Sequence, residues 1–188
     1  MIELTLALPV LLIMFLGLIE LGLAMHAYLV LVNANREGAR LGARGVFTDE
    51  QIAEQTLGAF GGQLPVDTVG PDANTGIIIT RFHIPEQDDP LADAFYYTPI
   101  YVTGTMTQTS RIDPDTMLEA LAYQNDSFND DLIAAHEDAV RSVHDLIVVE
   151  VYYYHNQVLR APIVEWVFPE PMVLYSRTMM RIGAARTQ

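Results

Sequence analysis

From Leu4 to Val32 the chain is apolar except for two ionisable residues, Glu20 and His26. The uncharged run Leu4–Ile19 falls short of a bilayer span. Counted through Val32, the segment exceeds the ~20 apolar residues that a membrane helix needs. Helical propensity continues through NANREGARLGAR and predicts one helix to about Arg44, roughly 66 Å long and about twice a hydrocarbon core. Pro9 removes one backbone donor and is expected to kink the helix or melt it locally. Arg36, Arg40 and Arg44 recur every fourth residue as one stripe, and Glu37 stands three residues before Arg40.

Beyond the arginines the period changes. Thr48 and Asp49 offer N-caps for a short helix at about 49–60, closed by the pair Gly61-Gly62. A turn-rich connector leads to a strand, GIIITRFHI, which Pro85 ends. A second, Thr-rich strand follows in YYTPIYVTGTMTQTS. Asp113 as N-cap with Pro114 at the first helical position starts a helix over 113–125. Apolar residues at Leu132, Ile133, Ala135, Ala139, Val140 and Val143 predict an amphipathic helix over 128–145. LIVVEVYYYH and MVLYSRTMMRI then read as a closing pair of strands. The expected fold class is α+β: a long apolar helix (1–45), then a small body (46–188) with an antiparallel sheet of about four strands packed by short helices.

Charge separates the same two parts. Residues 1–45 hold Glu3, Glu20 and Glu37 against Arg36, Arg40 and Arg44, so the whole net charge of -14 falls on 46–188. Such a body repels nucleic acid and anionic lipid alike. There are no cysteines, which excludes disulfides, zinc-thiolate sites and haem attachment. His136 and His144 are eight apart and lack zincin spacing. The oxygens of 113–115 and 125–131 lack the glycine and acidic closure of a calcium loop. Asn125-Asp126-Ser127 is a formal glycan acceptor. Tyr152 and Tyr154 should share one strand face, with Tyr153 on the other, in core and subunit interface. No nucleophile elbow, phosphate loop or triad spacing occurs. Neither an enzyme nor a bound cofactor or metal is expected.

Three readings of the opening helix compete. A signal peptide would carry a basic start and a cleavage site, and neither is present. A plain anchor would leave Glu20 near the bilayer centre, at several kcal/mol unless paired or protonated. The favoured reading is a packing helix that lives first in a membrane and then in a protein assembly.

The segment MIELTLALPVLLIMFLGLIELG, followed by NANREGARLGA, resembles the TadE-like pseudopilins of tight-adherence (type IVc) pili. The matching positions are Glu3, Ala7-Leu8-Pro9, Gly17, Glu20, Gly22, Asn33-Ala34 and Arg36 to Arg40. The closing strands resemble the family's end, with its Met180-Arg181 signature. The resemblance implies a subunit of a type IV-like extracellular filament, held in the bacterial inner membrane before assembly. It also implies copies of itself, a prepilin peptidase and a pilus secretion machinery as partners, with surface adhesion as the role. A Lys/Arg-containing leader ahead of Met1 is expected. The residues expected at subunit contacts are Met1, Glu3, Pro9, Gly17, Glu20, Gly22, His26, Arg36, Glu37, Arg40 and Arg44. Glu3 is expected to meet a neighbour's amino terminus, and residues 1–32 to form the filament core, so that their removal leaves a folded body. The competing class is a minor pseudopilin or membrane-tethered sensor that forms no filament.

Overall fold

A computed structural model describes residues 2–83, 96–97, 101–104, 108–113, 146–157 and 171–182, with backbone alone for 2–6, 83, 96–97 and 101. The helices expected over 113–125 and 128–145, with His136, His144 and Asn125, lie outside the described residues, as does Met1.

The first helix, α1, runs Ile2–Gly42. It continues through Pro9 without ending, so the missing donor costs one rung of the ladder and does not melt the helix. It stops two residues before Arg44, where Gly45 takes φ 70, a left-handed conformation that favours glycine. Helix α2 (Asp49–Gly58) starts at a capping box: the Thr48 hydroxyl accepts from Gln51 N–H while the Gln51 side chain accepts from Thr48 N–H.

The strands are β1 (Thr75–His83), β2 (Tyr96–Tyr97), β3 (Tyr101–Thr103), β4 (Leu146–His155) and β5 (Met172–Arg181). All pairings are antiparallel and the order is β2-β1-β4-β5, with β3 also on β1. The expected Thr-rich strand is two short pieces along one edge, paired with opposite ends of β1. The closing pair is unbroken from Leu146 opposite Arg181 to His155 opposite Met172.

Alternation sends Ile147, Val149, Val151 and Tyr153 of β4 to one face, with Ile77 and Ile79 of β1 beside them. On that face lie Ile52 and Ala53 of α2 and, from α1, Ala27, Val30, Leu31, Ala34 and Ala39. The second half of α1 is therefore part of the body's own core. The expectation that residues 1–32 could be removed with the body intact meets Ala27, Val30 and Leu31, which are buried within the single chain.

Candidate assembly surface

Along α1, Glu20, Ala24, Ala27, Leu31, Asn35, Gly38 and Gly42 are buried, at the three- and four-residue steps that make one helical stripe. Most are small, so the helix lies close on its support. A Cβ at Gly38 would stand 1.9 Å from Thr56 Oγ1 on α2, and one at Gly42 would stand 2.4 Å from Ile147 Cδ1 on β4. Asn35 Nδ2 donates to Ser176 Oγ of β5 at 3.0 Å. The glycines and the asparagine of the NANREGARLG segment thus dock the helix on its own sheet.

The first half of α1 is the reverse. Leu11 and Leu18 are each 65% exposed, and Leu8, Met14 and Phe15 are nearly as open. Gly17 and Gly22 have nothing within 4 Å of a Cβ position, so their smoothness serves no contact among the described residues. Residues 2–23 rise about 33 Å, close to the ~30 Å of a hydrocarbon core. The helix is long and apolar enough to cross a membrane.

Glu20 marks the change between the halves. It is 0% exposed, and its Oε1 lies 3.4 Å from Nε2 of His155, the last residue of β4. No aligned hydrogen bond reaches that nitrogen among the described residues. The Glu20 carboxylate, expected at a subunit contact, sits where the helix meets its own body. His26, which had been grouped with it, is exposed.

Opposite the docked stripe, Arg36, Arg40 and Arg44 are exposed. Arg40 holds Glu37 through two nitrogens, Nε to Oε2 at 3.1 Å and Nη2 to Oε1 at 2.6 Å. The side chain of Glu3 lies outside the described residues.

The other sheet face carries a cluster that periodicity did not single out. Glu150, 0% exposed, accepts from the Ser110 hydroxyl, from Arg111 N–H at 3.0 Å and from the Tyr175 hydroxyl at 2.7 Å. The Arg111 guanidinium stacks 4.6 Å from the Tyr175 ring centroid and 5.6 Å from that of Tyr152, whose hydroxyl donates to Thr109 C=O. This clasp fastens 108–113 across the sheet, and a lone carboxylate inside LIVVEVYYYH was its only signal. Burial, the Glu150 hydrogen bond and the Glu150 charge all raise the Tyr175 pKa above the ordinary tyrosine range. Among the described residues no three His, Asp or Glu side chains converge on a metal-sized space.

Residues 1–40 match the family described as TadE-like protein. The N-terminal helix is TadE-like. The match ends inside the docked half, so the TadE-like segment holds both the exposed apolar part and the residues that seat it, from Glu20 to Gly38. No curated protein matches the chain, and no solved structure does.

Proposed function

We propose that this TadE-like chain is a structural, pilin-like subunit that polymerises through the exposed part of α1 into an extracellular filament for surface adhesion. The observation that carries the reading is the half-docked helix. Its second half is seated on the sheet by small residues, while its first half projects an all-round apolar surface. A projection of that kind needs lipid or protein around it. In the inner membrane, lipid covers it; a secretion machinery then passes it, after prepilin peptidase processing, to copies of itself. Glu3, near the projecting end, would then pair with a neighbour's amino terminus, as a carboxylate in an apolar assembly requires. The half-buried Gly17 and the exposed Gly22 let neighbouring helices approach closely, as small residues do between packed apolar helices.

One observation favours a second reading, a minor pseudopilin or a tethered ligand-binding domain. The ~33 Å projection equals one bilayer crossing and nothing more. Electron microscopy of full-length protein after detergent removal separates the two. Uniform filaments are expected from a subunit, and single copies embedded in vesicles from a tether.

A further inference from the structure

Leu18, Met25, Leu29, Arg36 and Arg40 stand seven, four, seven and four residues apart, which holds them on one line of α1. All are exposed, and the line runs opposite the stripe docked on the sheet. The arginine stripe therefore continues the apolar surface assigned above to polymerisation. A neighbour that covers Leu18 and Met25 extends toward Arg36. We propose that Arg36, Arg40 and Arg44 dock on the acidic face of α2 in a second copy of this chain, at Glu50 and Glu54. This inference rests on the polymer reading and names the contact that sets its register.

Three observations choose that occupant. Glu50 and Glu54 are exposed and four residues apart, the same spacing as Arg36 to Arg40, so opposed helices set two charges against two, with Arg44 just past the end of α1. The net charge of -14 sits on the part of the chain that holds them, so any second copy offers an acidic surface to a basic stripe. In-register packing of identical helices would instead set arginine stripes against each other. A stripe about 12 Å long is relieved of that contact only when neighbours shift axially by a comparable amount, beyond the ~8 Å reach of charge at physiological salt. Anionic lipid is the other polyanion within reach, and distance disfavours it. With the hydrocarbon ending near Leu23, Arg36 stands about 20 Å further along the helix, past a headgroup layer of about 6 Å.

The absence of cysteine makes the test clean. Full-length chain carrying Arg36→Cys is co-expressed with full-length chain carrying Glu54→Cys, and the assembled filaments are oxidised. Mixed disulfide dimers are expected, with few Arg36→Cys self-dimers; self-dimers in excess, or no mixed dimers from intact filaments, overturn the proposal. In parallel, Arg36→Glu with Arg44→Glu should lower filament yield by about tenfold through like-charge contact. Adding Glu50→Arg and Glu54→Arg to that chain should restore it. A loss that the swap does not restore also overturns the proposal. If the unrestored variant floats less well with phosphatidylglycerol vesicles than the parent, yet equally with phosphatidylcholine, the stripe belongs to lipid. Filaments absent even from the unsubstituted chain remove the polymer reading itself, and this inference with it.

Discussion

Two truncations that differ by sixteen residues should behave in opposite ways. A chain lacking residues 1–16 loses exposed apolar surface and keeps Glu20 with its His155 contact. A chain lacking residues 1–32 also loses Ala24, Ala27, Val30 and Leu31, each 6% exposed or less. Burial of a Val or Leu side chain contributes about 1.5–3 kcal/mol and each alanine methyl about 0.8, so the second cut removes roughly 5–8 kcal/mol. Total stabilities of about 5–15 kcal/mol make that a loss of a third to all of the fold. Breaking the buried Glu20–His155 contact adds to it and leaves an imidazole uncovered at the end of β4. Far-UV circular dichroism on heating is the assay. The shorter truncation should be soluble and melt cooperatively. The longer should melt at least about 10 °C lower, at the usual 2–4 °C per kcal/mol for chains of this size, or fail to fold. Equal melting temperatures would refute the claim that the second half of α1 belongs to the body's core.

Three further outcomes are expected with the chain lacking residues 1–16. Gly38→Ala places a methyl against Thr56 Oγ1, which donates to Ile52 C=O at 2.7 Å, and should cost about 1–3 kcal/mol in urea unfolding through overpacking. Glu150→Ala strips the acceptor from Ser110, Arg111 and Tyr175 together, with an expected loss of about 3 kcal/mol by the same measurement. Tyr175 should make stability fall at alkaline pH: its pKa is raised in the fold, so above about 10 the unfolded chain releases a proton that the folded one keeps. Below that pH the effect vanishes, and Tyr175→Phe should flatten the alkaline slope.

Local chemistry made much of this fold legible. The Thr48 cap and the alternation of β4 and β5 each depend on residues close in sequence, and each element stands within two residues of its expected place. What could not be read was partnership at long range. Glu20 was expected to find its partner in a neighbouring subunit because His155, which it meets, lies 135 residues away in sequence and at the end of a strand. The small residues from Ala24 to Gly42 form a visible helical stripe, yet a stripe does not say whether a neighbour or the chain's own sheet fills it. The sheet does, through Ile147 and Ser176, and α2 does through Thr56. Glu150 carried a signal in its isolation among apolar neighbours, but its partners Ser110 and Arg111 belong to a segment without periodicity.

The central claim is that the projecting half of α1 joins copies of this chain. Electron microscopy of full-length protein and of the chain lacking residues 1–16, each purified in detergent and dialysed free of it, tests that most directly. Uniform filaments from the first and dispersed single bodies from the second are predicted. Filaments from the truncated chain, or vesicle-embedded single copies from the full-length one, would contradict it.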